Sequence, residues 1–506
     1  MKKQNVLIVV LLVLMLLGVG GAGWLWVERG TVISANATTQ AESLTLKEQI
    51  TEAGGVQDKN RQLQDQVTDL QQRLAQQGQA TPITPLDPTV PTPDPPAPTV
   101  TPSDPNAPTA TPSGPGGVAP PADVLAVMER IEDEVIGLRG LPETRPVERR
   151  FLTRAELRTY IETESEKETT PDEYRRSSQE LWLLGLGPKD LDLKTLYIDL
   201  QTEQIAGFYQ PEEDTFYLVG EAPTLPPLDQ ITYAHEFDHN LQDQTVDLGA
   251  GLEVGEFDAD RSAAFRALVE GDATILMTQW FQEYLIPSMA QEELLRFSQE
   301  LQAQADSTVL DSAPTIVREG LMFPYDQGQS FVQELYNAGG WPAVTTALSD
   351  PPTSTEQIIH PEKYTAAVRD EPKLPERFDL TAALGAGWTT VTTNTLGEFD
   401  LQIMLRDGGA STAEAVAAAA GWGGVRYALY ENASATETPL LQMTTRWDSA
   451  AEGDEFLQTF RSLLTTSGDV FRREDVVIGI KGNGAEWTIL FSADEATLRS
   501  ALAALP

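Results

Sequence analysis

The feature that most constrains this chain is the stretch His235-Glu-Phe-Asp-His239-Asn-Leu-Gln-Asp-Gln244. Residues four apart on a helix lie one above the other, so His-Glu-x-x-His brings two imidazoles to one face with a carboxylate between them. The chain has 506 residues and only three histidines, two of which are here. From composition alone a chance match is expected on the order of one time in a thousand. A metal ion held by imidazole is the chemistry this spacing serves.

Composition narrows the rest of the site. There is no cysteine, so thiolate zinc sites, iron–sulfur clusters, disulfides, cysteine nucleophiles and lipidation of an N-terminal cysteine are all excluded. Any metal must be bound by imidazole and carboxylate. With 76 acidic and 35 basic residues the formal net charge is −41. Such a surface repels phosphate backbones, and no nucleic-acid partner is expected.

The chain divides by composition. Lys2 and Lys3 precede an apolar run, Val6 to Val27, long enough at 1.5 Å per residue to cross a bilayer core of about 30 Å. The basic N-terminus predicts a cytoplasmic tip and a single-pass anchor in residues 1–30, with the remainder extracytoplasmic at the cell membrane. A cleaved signal peptide is the alternative. Residues 42–78 carry Ala53, Val56, Asn60, Leu63, Val67, Leu70 and Leu74 at alternating three- and four-residue spacing. This is the pattern of a helical stalk or short coiled coil, and a route to a homodimer. Residues 79–121 form a linker; 15 of the 41 residues from 81 to 121 are proline, which predicts a disordered, extended Pro/Thr spacer.

An α+β globular region follows, with residues 122–374 as a mainly helical domain with a small β-sheet. Helices are predicted at Val124–Leu138, Thr153–Glu162, about 229–244, about 257–282, 291–305 and 329–337, the last ended by Gly339-Gly340. Leu196–Leu200 and Ile205–Tyr209 read as strands, and Phe208–Val219 as a hairpin around a Pro-Glu-Glu-Asp turn. That hairpin could bind an extended peptide by strand addition, or be an ordinary structural hairpin. Residues 375–506 read as a small α+β domain of alternating strands and helices.

A catalytic zinc takes three protein ligands and leaves one position for water. His235 and His239 supply two. Glu236, about 100° round the helix, is free to act as general base on a water whose pKa zinc lowers to about 7. For the third ligand Glu270, in Leu268-Val-Glu-Gly-Asp272 on the next helix, is the foremost candidate. His360 and the acids Glu253, Glu256, Asp258 and Asp260 are the alternatives. His360 is also a candidate oxyanion donor, as is Tyr364 four residues on; a helix-capping histidine is the bland reading. Asp272 could orient a zinc-bound imidazole through its second N–H, or pair with a base such as Arg266. Asp238 reads as a surface or salt-bridge group. Tyr233, Phe237, Tyr325, Gly328 and Phe331 read as core.

With these residues in view, the chain resembles the gluzincin branch of zinc metallopeptidases, His235-Glu-x-x-His239 with Glu270 downstream. More narrowly, Tyr233-Ala-His-Glu-Phe-Asp-His-Asn-Leu-Gln-Asp-Gln244, Glu270-Gly-Asp-Ala273 and Ser354-Thr-Glu-Gln357 before His360-Pro361 resemble a group of uncharacterised bacterial, membrane-anchored metallopeptidase-like proteins. The resemblance spans roughly residues 125 to 370. It implies a zincin-like domain, helical beneath the zinc site with a small sheet above, Glu236 as general base, Glu270 as third ligand, and a peptide or protein substrate. The chain departs from the branch in a longer His239-to-Glu270 spacing and in Thr274, where an acid is common. A catalytically inactive relative serving as a binding or scaffold module is the competing expectation.

Overall fold

The computed structural model describes residues 8–11 and 116–506, apart from 211–212, 221–222, 250–257, 304–307 and 468. The expected stalk (42–78) and nearly all of the Pro/Thr linker lie outside the described residues. Of the apolar run from Val6 to Val27 only Ile8–Leu11 is described, as strand β1. In these four residues a strand stands where a helix was expected. A β-branched stretch suits the pleat, and the open edge of β3 supplies partners for its backbone. Among the described residues no helix is long and apolar enough to cross a membrane.

The region from 122 to 374 places one small sheet over a set of helices. Helix α1 (Ala122–Arg139) buries Met128, Ile131 and Val135 completely; their three- and four-residue spacing makes one apolar stripe. It stops at Gly140, whose φ of 75° turns the chain and returns its N–H to Ile136 O, as glycine caps do. Strand β2 (Glu148–Leu152) runs parallel to β4 (Thr215–Val219), which is antiparallel to β3 (Ile205–Gln210); β1 pairs on the far edge of β3, in the order β1-β3-β4-β2. The β3–β4 hairpin matches the sequence expectation, with Phe208 opposite Tyr217.

Between β2 and β3 run α2 (Arg154–Glu168), α3 (Pro171–Leu184) and α4 (Leu193–Gln204). The first two begin with reciprocal capping boxes, Thr153 with Glu156 and Thr170 with Glu173. The strand expected at Leu196–Leu200 is instead inside α4. Its apolar residues alternate as in a strand, but Asp192 accepts from both the N–H and the hydroxyl of Thr195 and opens a helix there. Helices α5 (Pro227–Val246) and α6 (Ala259–Trp280) follow, then α7 (Thr315–Ser349). α7 is two consecutive helices: Gly339-Gly340 ends the first, as the sequence suggested, Gly340 having the non-helical φ 63° and ψ −163°, and Pro342 opens the second.

The short helix α8 (Thr355–Ile359) leads to the C-terminal lobe. There seven antiparallel strands stand in the order β5-β6-β7-β11-β10-β9-β8, from Trp388–Thr395 (β5), Trp422–Asn432 (β6) and Leu440–Trp447 (β7) to Thr465–Ser467 (β8), Val470–Arg473 (β9), Val476–Asn483 (β10) and Glu486–Ser492 (β11). Alternation along β6 sends Val425, Tyr427 and Leu429 to one face and Ala428 and Tyr430 to the other. The first face is covered by α9 (Glu398–Asp407), α10 (Thr412–Ala419) and α11 (Ala450–Ser462), the second by α12 (Glu495–Ala504). The fold is α+β.

Candidate metal centre

Helix α5 is buried on all sides over its middle: Ile231 to Gln242 are all inaccessible. A helix apolar or paired all round belongs inside a core, and this one runs beneath β3 and beside α6. His235 and His239 are both 0 % exposed and Glu270 on α6 is 3 % exposed.

These three side chains converge. His235 Nε2 lies 3.1 Å from His239 Nε2 and 3.1 Å from Glu270 Oε2, and His239 Nε2 lies 3.4 Å from the same oxygen. Ligand atoms bound tetrahedrally to one zinc at about 2.0–2.1 Å stand about 3.3 Å apart. The observed triangle fits that spacing, and two imidazoles with one carboxylate are a donor set zinc accepts. Glu236 is adjacent, a carboxylate oxygen lying within 4.8 Å of ligand nitrogens of both histidines.

The electrostatics agree with the geometry. Glu236 is 0 % exposed and neither oxygen has a hydrogen-bond partner. Burial pushes its carboxyl up to about 8, His239 opposing the shift and Glu270 adding to it. Burial acts to raise Glu270 too, but the two imidazoles overcome it and hold its carboxylate at about 2. Burial lowers His235, Glu270 only partly opposing it. His239 goes the other way: Glu270 outweighs the burial penalty and raises it. The raised His239 imidazole balances the ionised Glu270, and a bound metal cation would displace its proton.

Close packing of helices sets where Glu270 sits. A Cβ on Gly271 would meet Gly328 O of α7 at 2.3 Å, and one on Gly328 would meet Ala267 O at 2.0 Å. Only glycine at both positions allows this approach of α6 and α7. Gly328 thus has a contact role, as the sequence suggested. Tyr325, one turn earlier on α7, brings its ring centroid to 6.4 Å from that of His235.

The other expected site residues engage different partners. His360 Nε2 pairs with the buried Glu398 at 3.1 Å, and the Tyr364 hydroxyl donates to Asp350 O while Arg369 covers its ring. His360 thus bonds across to the C-terminal lobe and Tyr364 within the helical region, and neither bond leads to the His235–Glu270 triangle. Asp272 does not orient an imidazole. Both its oxygens accept from Arg139, at 2.9 and 2.8 Å, and His235 Nδ1 has no hydrogen-bond partner. Asp238 is 0 % exposed and takes the salt-bridge alternative, its Oδ1 lying 3.8 Å from Arg139 Nε. Asp260, an alternative third ligand, accepts from the N–H and hydroxyl of Thr355 at 2.9 and 2.6 Å. The Ser354–Gln357 stretch is thereby a joint between helices. A second acid cluster, Glu356, Asp370 and Asp448, surrounds the ammonium of Lys363.

Two residues that sequence reasoning passed over lie behind the histidines. Gln242 Oε1 is 2.8 Å from His239 Nδ1, and its position three residues after His239 was a usable signal. Arg139 is 0 % exposed; nothing in its local sequence marks it. In comparison with known proteins, no curated protein and no solved structure matches the chain, and residues 384–501 match a family described as "Domain of unknown function (DUF8575)".

Proposed function

We propose that residues 122–374 form a zinc-dependent peptidase domain, resembling gluzincins, in which His235, His239 and Glu270 hold the ion and Glu236 is the general base. The observation that carries this reading is the 3.1, 3.1 and 3.4 Å triangle of ligand atoms. Zinc, when bound, supplies Lewis acidity toward water and the scissile carbonyl. The Glu236 carboxylate takes a proton from the attacking water and delivers it to the departing amine nitrogen as the C–N bond breaks.

The test pairs metal content with activity. Purified full-length protein is expected to hold about one zinc per chain, and His235→Ala to lose it. Glu236→Gln is expected to keep the metal and lose casein or peptide hydrolysis by at least 100-fold. Hydrolysis that survives Glu236→Gln would sink the mechanism. A second reading, a metal-holding domain without catalysis that serves as a binding or scaffold module, is favoured by the near-complete burial of all four groups; zinc binding with no hydrolysis of any substrate would select it. We further propose that the run from Val6 to Val27 anchors the chain with this domain outside the cell, an arrangement in which Ile8–Leu11 leaves the edge of β3. Protease digestion of intact cells should then degrade the domain, and a protected domain would refute the topology.

A further inference from the structure

We propose that Arg139 is a positioning residue for the metal centre, acting through Asp238 and Gln242 on His239 and through Asp272 on the helix that carries Glu270. This rests on the metal reading of the site.

The bonds run in sequence from the ligand. Gln242 Nε2 donates to Val269 O and to Asp238 Oδ2, both at 3.1 Å. A carbonyl oxygen can only accept, so this end of the amide is the NH2 group. The other end, Oε1, therefore faces His239 Nδ1 as an acceptor, and Nδ1 carries the proton. With Nδ1 as the donor, Nε2, which faces Glu270 Oε2 and His235 Nε2, is the nitrogen that would bind a metal once its proton is displaced. Val269 immediately precedes Glu270, so the same amide also ties α5 to α6 at the third ligand.

Arg139 stands behind this chain. Asp238 Oδ1 lies 3.8 Å from its Nε, and Nε and Nη2 grip both oxygens of Asp272. Nη1 donates to Thr345, and the guanidinium lies 4.6 Å from the Trp341 ring centroid. One planar cation thus joins α1, α5, α6 and the far half of α7 with every group 0 % exposed at the Asp238 and Asp272 contacts. Its fork fixes angles that a lysine ammonium leaves free.

The experiment measures zinc affinity of the full-length protein by chelator competition, with the visible spectrum of the cobalt(II)-substituted form as a probe of ligand geometry. Gln242→Met keeps the volume but removes the acceptor; Arg139→Lys keeps the charge but removes the fork. Both are expected to weaken zinc binding 10- to 100-fold and to change the cobalt spectrum. Leu498→Ala, in the core of the C-terminal lobe, should lower thermal stability with zinc affinity unchanged, which separates positioning from general destabilisation. Wild-type affinity and spectrum in both folded variants would overturn the inference while leaving the metal site intact. If Arg139→Lys does not fold, Gln242→Met decides alone. Failure of the wild-type protein to bind stoichiometric zinc would overturn the metal reading and this inference with it.

Discussion

Glu180, on α3, reaches the C-terminal sheet, where the Tyr427 hydroxyl donates to one carboxylate oxygen at 3.1 Å and the other has no partner. Burial raises this carboxyl to about 7, Thr392 and Tyr427 offsetting only part of the shift. The folded protein therefore holds a proton that the unfolded chain releases near pH 4.5. Stability falls as pH rises from that value through about 7 and is then constant, at a cost of about 3 kcal/mol once ionisation is complete. Glu180→Gln removes the ionisation. It should leave the melting temperature nearly unchanged at pH 5 and raise it at pH 8.5, by less than the full cost because the new amide N–H lacks an acceptor. A melting curve that shifts equally at both pH values would assign the effect to packing. The same scale shows what the sequence displayed. His235, Glu236 and His239 were legible because three histidines in a whole chain make their spacing informative. Glu270 was the foremost of several candidates, which included His360 and Asp260, and the structure brings its carboxylate to the two histidines. Rarity misled at His360, where it suggested chemistry for a residue that pairs with Glu398. Gln242 could have been picked out by its spacing from His239, but the meeting of Arg139 with α5, α6 and α7 is encoded by no local pattern.

Helices α6 and α7 illustrate a contact in which propensity and packing oppose each other. In an isolated helix Gly→Ala gains about 1 kcal/mol. At Gly271 or Gly328 the added methyl would enter the backbone of the facing helix, and overpacking of this kind costs about 1–3 kcal/mol or more. Gly271→Ala and Gly328→Ala are therefore expected to lower the melting temperature, and to weaken zinc binding because Glu270 moves with its helix. A rise in melting temperature in either variant would show that the helices are free to separate. The long apolar course of α6 was readable from the sequence, as were α1, α5 and the β3–β4 hairpin, because each carries a full period of burial. The strand read at Leu196–Leu200 failed because five residues of alternating pattern cannot outweigh an aspartate cap. Gly339-Gly340 read as a terminator and is one, since the backbone leaves the helix at Gly340 before Pro342 opens the second half of α7.

At the scale of the whole molecule, the helical region and the C-terminal lobe share polar joints that composition could not announce. Asp260 opens α6 between Thr355 and Thr395, Arg473 donates to the carbonyls of Leu183 and Leu184, and Arg175 and Arg176 share Glu431. The composition shift near Pro375 marked a change of architecture correctly, from stacked helices to a wide antiparallel sheet, but said nothing of how firmly the two would be joined. Among these joints the start of α6 stands out, for it lies on the same helix as Glu270.

The burial of the four central groups has a kinetic meaning. Atoms without solvent contact exchange an ion, or meet a substrate, only after something opens. Loss of zinc to a strong chelator should then reach a ceiling as chelator is raised, with the plateau reporting the opening rate of the fold itself. A loss rate that keeps climbing in proportion to chelator would mean that the ion is reached directly. Under the proposed zinc reading, residence time and affinity are separate quantities: the ligand triangle would set how tightly the ion is held, and the breathing of the surrounding helices how long.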